Sequence, residues 1–346
     1  MNLVNPKTTQ EQPMPLKSVS VDELQVENSS SNLLAFCKAT AEQLRLDILK
    51  VLSRDSFGVL ELVQIFNCKQ SLISHHLKIL AKTGLVIKRR EGNSIFYRRT
   101  HTISSDELAD FQKGLFKALE SQPLSEETQY RLTLIRAERA EKCQAYFRDN
   151  ADKFSQHQEQ VAAYELYAPN AKELIVSSIK DDSELQKTVL EIGPGEGEFL
   201  VELSMMFKRV IALDNSSQML NKARQFATAQ KLTNIDFVHG DTKHHSLSEK
   251  NINCVVLNMV LHHVSSPVEV LFDIAAILNK NGQLFITELC THDQSWVKSS
   301  CGDLWLGFEP EDLTNWTKNA GFKEGESVYL AQRNGFRVQI RQFLKC

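Results

Sequence analysis

The fold is decided by the stretch VLEIGPGEG, residues 189–197. It begins as a short apolar run of the kind that forms a buried strand, and it continues into three glycines at alternate positions. Glycine lets a backbone adopt positive φ and come close to a ligand. The stretch therefore predicts a strand followed by a tight turn, with a ligand site at that turn.

Downstream of this turn, strand-like runs alternate with helical stretches, which indicates a parallel α/β sheet. The strand-like runs lie at 210–213, 235–238 and 254–257. Asp214 and Asn258 come directly after two of them, and Asp241 follows the other. An acidic residue about 20 positions after a glycine-rich turn typically accepts the ribose hydroxyls of an adenosine cofactor. Asp214 is that residue in this sequence.

The spacing of the glycines excludes two common phosphate-binding loops. It is GxGxG rather than the dinucleotide form GxGxxG, and no phosphate-binding lysine follows it. Together with the polar residues that follow the later strands, the pattern resembles the class I S-adenosylmethionine-dependent methyltransferases over residues 185–346. The resemblance implies an α/β, Rossmann-like domain with a seven-stranded sheet, completed by strands near 283–288, 324–330 and 337–343.

The same resemblance implies S-adenosylmethionine or S-adenosylhomocysteine as the bound cofactor. The residues that match the family's cofactor motifs are Glu191, Gly193, Gly195, Gly197, Asp214, Asp241 and Asn258. In the family pattern the glycines approach the methionyl and ribose parts, Asp214 binds the ribose, and Asp241 binds the adenine amine. The backbone at Asn258 faces the methionyl amine. A domain of this fold that has lost its ligand is the alternative.

The sequence singles out no catalytic base. Methyl transfer from a sulfonium is an in-line displacement, for which positioning can supply much of the rate. His262, His263 and His292 are candidates because histidine titrates near neutrality, and packing beneath the pocket mouth is an equally good interpretation of each. A metal site at His244 and His245 is excluded, since no acidic or thiolate residue lies at ligand spacing. We therefore expect no metal.

Upstream of the α/β domain, the charge changes sign. Between residues 31 and 99, twelve Lys and Arg residues stand against five Asp and Glu residues. This balance of +7 leaves −10 for the rest of a chain whose net charge is −3. A basic segment on an acidic chain favours a polyanionic partner for that segment. A solvated basic surface without a partner is the alternative.

The hydrophobic pattern of the basic segment predicts a winged helix-turn-helix. Two amphipathic helices, near 44–52 and 59–66, are followed by a short turn and a third helix at 70–80. Two β-like runs, 85–90 and 94–99, then form a basic hairpin, the wing. The third helix fits the major groove of DNA, and the wing arginines meet the phosphate backbone. The side chains expected to contact DNA are Gln70, Ser71, Ser74, His75, Lys78, Arg89, Arg90 and Arg98.

Within this segment, SHHLKIL at 74–80 and RREG at 89–92 resemble the ArsR/SmtB family of bacterial repressors, which bind DNA as dimers. The metal sensors of that family carry paired cysteines before the turn. Gly58 and Leu60 stand at those positions here, so thiolate metal sensing is not expected. His75 and His76 are adjacent in a helix and point about 100° apart, which favours one DNA-facing and one packed histidine.

The patterns divide the chain into a polar tail predicted to be disordered, the winged helix-turn-helix domain, a helical linker or dimerisation region, and the methyltransferase-like domain. Their predicted ranges are 1–30, 31–102, 103–184 and 185–346. LHH at 261–263 and WLGF at 305–308 resemble a bacterial group in which an ArsR-type domain is fused to such a methyltransferase domain.

The composition excludes several classes of protein. At 346 residues, 42% hydrophobic and 24% charged, the chain is typical of a globular protein of about two domains. No window approaches the roughly 18 apolar residues of a membrane-spanning helix, and no secretory signal is expected. The seven cysteines form no CxxC pair, which favours a reducing cytoplasm over a disulfide framework.

These features predict a cytoplasmic, homodimeric transcriptional regulator that binds a double-stranded DNA operator. Its C-terminal domain would bind S-adenosylmethionine or S-adenosylhomocysteine as a signal. The alternative is an active methyltransferase for a small molecule, autoregulated through its DNA-binding domain. An interaction module without DNA binding is disfavoured by the +7 segment.

Overall fold

The computed structural model describes residues 21–92, 94–101, 108–150, 152, 154–178, 187–248 and 251–346. The N-terminal helices are α1 (Val21–Thr40), α2 (Gln43–Val51), α3 (Val59–Phe66) and α4 (Gln70–Lys82). The strands are β1 (Phe57–Gly58), β2 (Val86–Glu91) and β3 (Ser94–Arg99), which pair antiparallel in the order β1-β3-β2. Helices α3 and α4 with the β2–β3 hairpin confirm the predicted winged helix-turn-helix.

The turn between α3 and α4 is fixed by local chemistry. Asn67 ends α3 in the left-handed conformation, with φ 47°, which asparagine tolerates better than most residues. Helix α4 then buries Ile73, Leu77 and Leu80 completely, because these positions recur at helical spacing. The burial of this apolar stripe holds α4 against the domain core and leaves its opposite face to solvent.

The start of the chain differs in part from the prediction. Residues 1–20 of the predicted tail lie outside the described residues, but α1 begins at Val21, so residues 21–30 of the predicted tail are helical. The helix is anchored at its other end, where Phe36 and Ala39 are buried in the N-terminal core. The polar composition before residue 31 gives no sign of this anchor.

Four helices connect the two domains. They are α5 (Ala109–Glu120), α6 (Glu126–Asn150), α7 (Phe154–Ala162) and α8 (Tyr164–Ser178). Phe116 of α5 and Ile135 of α6 belong to the N-terminal core, whereas Val161 of α7 and Leu174 of α8 belong to the core of the second domain. The segment predicted as a linker is therefore divided between the two domains and packed into both.

The second domain is a sheet flanked by helices on both faces. Its strands are β4 (Thr188–Ile192), β5 (Arg209–Asp214), β6 (Ile235–His239), β7 (Ile252–Asn258), β8 (Leu278–Leu289), β9 (Phe322–Ala331) and β10 (Arg337–Lys345). The helices are α9 (Glu198–Met206), α10 (Ser217–Ala229), α11 (Pro267–Ile277), α12 (Val297–Ser300) and α13 (Pro310–Asn319). Single 3₁₀ turns lie at His245–Leu247 and Leu261–His263.

The strand order is β6-β5-β4-β7-β8-β10-β9, and β10 runs antiparallel to both of its neighbours. The remaining pairs are parallel, which confirms the predicted seven-stranded, Rossmann-like sheet. From β4 the chain adds β5 and β6 on one side, and it then returns to place β7 on the other side of β4. In sheets of this kind, ligands bind at the point where the direction of strand addition changes, which here lies beside β4. Among the helices that the structure describes, none combines the length and the apolar character needed to cross a bilayer.

Candidate functional site

A cavity of about 620 Å³ opens at the carboxyl ends of the central strands. It is lined by Gly193 and Gly195 after β4, by Asp214 at the end of β5, and by Asp241 after β6. The three strands are parallel neighbours, so their carboxyl ends meet at one edge of the sheet. The volume lies in the range of pockets that enclose small molecules.

A smaller cavity adjoins the first around the glycine turn. It is lined by Glu191 and Asn258, and by Tyr164 of α8. Gly193 and Gly195 line both cavities. Six of the seven predicted cofactor residues therefore lie along one continuous groove at the carboxyl edge of the sheet.

The exception, Gly197, lines neither cavity. It has φ +98° at the start of α9, where an added Cβ would lie 3.1 Å from Cα of Ala223 in α10. Its requirement for glycine comes from helix packing. Gly193 has φ +66°, and a Cβ there would lie 2.7 Å from Cγ2 of Val260, so any side chain at this turn would be strained and crowded.

The carboxyl group of Glu191 lacks a full set of hydrogen-bond partners. The residue is 1% exposed, its Oε1 lies 3.5 Å from Nδ2 of Asn258, and its Oε2 has no partner among the described residues. Burial raises the pKa of Glu191 to about 8, and the hydrogen bond from Asn258 opposes this only in part. Oδ1 of Asn258 is also without a partner in the described part of the chain. Two buried acceptors beside a cavity suit a ligand that carries an ammonium group.

The two aspartates of the large cavity are oriented by their own loops. Oδ1 of Asp214 accepts the backbone N–H of Ser216 at 2.7 Å, and burial raises the pKa of Asp214 to about 6. Asp241 is exposed, and its Oδ1 accepts the backbone N–H of Lys243 at 2.9 Å. Each carboxylate is thus held in one orientation and keeps capacity to accept hydrogen bonds from a ligand.

The candidate histidines occupy three different positions. His263 lines the large cavity, and its pKa is held well below the usual range by burial and by the charge of His262. His262 lies behind it, with Nδ1 2.6 Å from Oε1 of Glu288. Burial lowers the pKa of His262, but the charges of Glu288 and Asp303 and the hydrogen bond to Glu288 outweigh this and raise it to about 9. His292 lines neither cavity, and burial lowers its pKa to about 4.

The outer wall of the large cavity comes from α6, which the sequence analysis treated only as linker. The side chains of α6 in this wall include Arg136, Ala140, Cys143 and Phe147. Their spacing of three to four residues follows one helical face, a signal that was present in the sequence. The same helix packs on α3, where Arg139 donates to Glu61 at 2.7 Å. One helix therefore contacts both the cavity and the helix-turn-helix.

Buried polar contacts also join the N-terminal domain to the rim of the cavity. Asp55 accepts hydrogen bonds from the hydroxyl of Ser266 and from Arg136, whose Nε lies 2.8 Å from Oδ2. Ser266 and Arg136 both line the large cavity, and Asp55 is buried. Nearby, Nη1 of Arg139 lies 3.4 Å from the carbonyl oxygen of Ser265. Asp55 and Arg136 form an ion pair whose carboxylate is buried. Removing Arg136 would leave that charge uncompensated, and the loss of one partner of a buried ion pair costs about 3–5 kcal/mol.

The wing packs against the second domain rather than projecting freely. Arg89 donates to the carbonyl oxygen of Gly307 at 2.6 Å, and it forms an ion pair with Glu91. Glu91 is buried and accepts the backbone N–H of Leu306 at 2.9 Å. Strand β2 of the wing is thereby hydrogen-bonded to residues 306–307, which precede α13.

The predicted wing arginines accordingly lie in two environments. Arg98 forms an ion pair with the buried Asp312 of α13, and Arg89 bonds the carbonyl oxygen of Gly307. Arg90 is exposed, and its Nε donates to the carbonyl oxygen of Gly92 at the wing tip. In this arrangement Arg90 faces solvent, whereas Arg89 and Arg98 face the second domain. A local sequence pattern cannot show this, because the partners are more than 200 residues away.

The other five predicted DNA-contacting residues share the solvent face of α4. These exposed side chains are Gln70, Ser71, Ser74, His75 and Lys78. His76 is packed inward, with Nδ1 3.5 Å from Oε2 of Glu42 and 3.3 Å from Nη1 of Arg45. The adjacent histidines therefore point apart, as predicted. The exposed face is polar and carries donors that suit base edges and phosphates.

Two family models match the chain. The model for bacterial regulatory proteins of the arsR family matches residues 42–88, and the model for a methyltransferase domain matches residues 190–286. The first range covers α2 to the start of the wing. The second covers the glycine turn and the strands that supply the cavity walls.

The curated relatives divide in the same way. The chain is 34% identical over 93 residues to the transcriptional activator HlyU of Vibrio cholerae, an alignment that covers 27% of this chain and 82% of HlyU. It is 33% identical over 78 residues to the arsenical resistance operon repressor of Staphylococcus aureus, covering 22% of this chain and 75% of the repressor. It is 26% identical over 158 residues to the ubiquinone biosynthesis O-methyltransferase of Erwinia tasmaniensis, covering 42% of this chain and 65% of that enzyme.

Proposed function

Because this chain belongs to the ArsR family of bacterial regulatory proteins and continues into a methyltransferase domain, we propose that it regulates transcription in response to S-adenosylmethionine or S-adenosylhomocysteine. The cofactor binds in the groove around the glycine turn and changes the affinity of the N-terminal domain for its operator. A ligand can do this only by binding two conformations of the protein with different affinity.

Helix α6 carries the proposal, because it belongs to both functional regions. Its Arg136 lines the cavity and bonds to Asp55 of the N-terminal domain, and its Arg139 bonds to Glu61 of α3. Helix α3 packs directly against α4. A ligand that displaces the cavity face of α6 therefore alters contacts one helix away from the DNA-reading face.

The wing supplies a second route of coupling. Arg89 and Arg98 are bonded to the second domain in the arrangement described, so they are withheld from a phosphate backbone. Phosphate contacts contribute much of the affinity of DNA-binding proteins. A ligand that favours this docked arrangement is expected to weaken DNA binding, and one that favours release of the wing is expected to strengthen it.

The residues of the groove suit the proposed cofactor by charge. Glu191 and Asn258 offer unpartnered buried acceptors to an ammonium group, and Asp214 offers an oriented carboxylate to ribose hydroxyls. Gly193 and Gly195 let the backbone approach closely. Asp241 stands at the far side of the cavity, where the adenine amine is expected. S-adenosylmethionine, when bound, supplies an electrophilic methyl group on a sulfonium.

On the DNA side, α4 is proposed to lie in the major groove of a double-stranded operator. The side chains of its exposed face read bases and phosphates, and Arg90 at the wing tip adds a phosphate contact. A homodimer is proposed, since two copies of α4 would read two half-sites. A cytoplasmic location is proposed with it.

An active methyltransferase on a small molecule is the second candidate. The observation that favours it is the position of His263, which lines the same cavity as Gly193 and Asp214 and so faces space for an acceptor. In that case the N-terminal domain controls the chain's own operon. Turnover of S-adenosylmethionine with a panel of small acceptors distinguishes an enzyme from a sensor.

Titration calorimetry of the full chain with each cofactor form tests the shared premise. We expect saturable binding that weakens about 10- to 100-fold in Asp214→Ala, because hydrogen bonds to a charged group are worth about 1.5–3 kcal/mol. The control is Asp293→Ala, an exposed carboxylate outside both cavities. If neither cofactor form binds the wild type, both candidate functions fail.

A further inference from the structure

We propose that His262, His263 and Asp303 form a binding site for a divalent metal ion of the zinc type at the inner wall of the large cavity. One nitrogen from each histidine and one carboxylate oxygen lie within 4.8 Å of one another. All three residues are buried, and their rings and carboxylate leave little access for bulk water. This site is independent of the proposed regulatory function.

The spacing of the donor atoms is unsuited to direct hydrogen bonds and close to that of metal ligands. Oδ1 of Asp303 lies 4.0 Å from Nε2 of His262 and 3.7 Å from Nδ1 of His263. Hydrogen bonds of this type measure about 2.7–3.2 Å, so no proton bridges these atoms in this geometry. Two ligands about 2.1 Å from a tetrahedral zinc ion lie roughly 3.4 Å apart. A small inward movement of Asp303 completes that geometry.

Asp303 is buried without hydrogen bonds among the described residues, and His262 faces it only at 4.0 Å. Its residue exposure is 4%, and neither carboxylate oxygen has a hydrogen-bond partner among the residues that the structure describes. Lys298 donates to the carbonyl oxygen of Leu304 at 2.8 Å and pairs with Glu91. A buried carboxylate without hydrogen bonds is costly, and a metal ion is one of the accepted solutions.

Glu288 prepares His262 to act as a ligand. Its Oε1 lies 2.6 Å from Nδ1 of His262, and its two oxygens also accept the backbone N–H groups of His262 and Leu289. Nδ1 is thereby fixed as a donor, which leaves Nε2 as the nitrogen that faces Asp303. Metal-binding histidines usually donate their second N–H to a carboxylate in this way. A divalent ion would also balance the charges of the two buried carboxylates, Glu288 and Asp303.

The donor set decides the class of metal. Two imidazoles and one carboxylate suit zinc and similar borderline ions, whereas magnesium and calcium prefer sites made of oxygen alone. His263 forms part of the cavity wall, so an ion and a further ligand reach the site through the cavity. The sequence analysis expected no metal on the grounds of His244 and His245 alone. It did not consider the present site, in which 39 residues separate His263 from Asp303.

The test is a cobalt(II) titration of the metal-stripped full chain, followed by ligand-field absorption in the visible range. We expect one equivalent to bind, with affinity at least about 100-fold weaker in Asp303→Asn and in His263→Gln. The matched control is His245→Gln, which changes an exposed member of another adjacent histidine pair and leaves binding intact. Absence of stoichiometric binding to the wild type, or equal binding by both ligand variants, overturns the proposal.

Thermal unfolding separates loss of a ligand from loss of the fold. Without metal, Asp303→Asn is expected to stay folded and to melt close to the wild-type temperature, because the amide keeps the shape of the side chain and replaces a carboxylate that makes no hydrogen bond in the described residues. Added zinc should raise the melting temperature of the wild type and not of the variant. If added zinc raises the melting temperature of the wild type and of the variant equally, Asp303 is not a ligand and the proposal is wrong. Calorimetric binding of S-adenosylhomocysteine reports on the neighbouring groove separately.

Discussion

At the scale of single residues, the glycine turn places a backbone of unusual conformation beside a buried carboxyl group. Gly193 combines positive φ with a neighbour that leaves no space for a side chain, and Glu191 lies just before it with one oxygen unpartnered in the described part of the chain. Both features are unfavourable for the empty protein. Both are explained by a ligand that approaches the backbone closely and carries a positive charge.

Gly193→Ala tests the steric part of this explanation. We expect the free energy of unfolding to fall by about 1–3 kcal/mol, since the residue becomes strained and its Cβ meets Val260. Gly114→Ala is the matched control: it lies within α5, where nothing approaches within 4 Å, and should gain about 0.5–1 kcal/mol. Urea denaturation measures both. Equal effects at the two positions would contradict the steric interpretation.

Glu191→Gln tests the electrostatic part. Because burial raises the pKa of Glu191 from 4.5 to about 8, the folded state holds its proton more tightly than the unfolded state. The wild type should therefore lose stability as the pH rises from about 5 to about 8. The variant has no carboxyl group to ionise at this position. The difference in the free energy of unfolding, variant minus wild type, should therefore increase from pH 5 to pH 8. Chemical denaturation at pH 5 and pH 8 measures the difference, and a constant difference would show that Glu191 is ionised throughout.

At the scale of elements, the proposed DNA recognition is divided between α4 and the wing. The exposed face of α4 carries short polar side chains that can reach base edges, whereas Arg90 at the wing tip can reach only the backbone. The other two wing arginines, Arg89 and Arg98, are held by the second domain. The contributions to specificity and to affinity should therefore separate by element.

Substitutions in the two elements should have different signatures. Arg90→Ala should weaken binding to every duplex alike and reduce the slope of the salt dependence by about 1, because one phosphate contact is lost. Gln70→Ala should instead reduce discrimination between the operator and an unrelated duplex. Lys117→Ala, an exposed charge on α5, is the control for a general loss of positive charge. Fluorescence anisotropy at several salt concentrations measures all three variants.

The elements that the sequence predicted are those with strong local patterns. The apolar stripe of α4, the wing hairpin and the strands around the glycine turn are each visible within a dozen residues. The role of α6 was missed, since its charges of both signs mask the face that lines the cavity. Two contacts could not be predicted: the ion pair between Arg98 and Asp312, and the proximity of His262 to Asp303. Each joins residues that are far apart in the sequence, so no local pattern indicates it.

At the scale of the whole molecule, the two domains are joined by contacts that also border the cavity. Asp55 is buried between Ser266 and Arg136, and both of these residues line the space proposed for the cofactor. The covalent linker is therefore reinforced by a polar interface that a ligand can alter. The packed molecule thereby offers a physical route for the proposed communication between the groove and the exposed face of α4.

Ser266→Ala should reduce that communication. The substitution removes one hydrogen bond to Asp55, worth about 1 kcal/mol, while the bond from Arg136 remains. We expect the ratio of DNA affinities with and without cofactor to move toward 1, with little change in cofactor affinity. Ser299→Ala, whose hydroxyl bonds only its own helix in the described residues, is the control. Paired titrations with duplex DNA and with S-adenosylhomocysteine give both affinities.

The affinity of the full chain for a duplex taken from upstream of its own gene tests the central claim most directly. It is measured without cofactor, with saturating S-adenosylmethionine, and with saturating S-adenosylhomocysteine. Coupling between sites in one protein is typically about 1–3 kcal/mol, so we predict that at least one cofactor form changes the affinity by about 5- to 150-fold. Identical affinity under all three conditions, with specific binding to the duplex established, would contradict the proposed regulation.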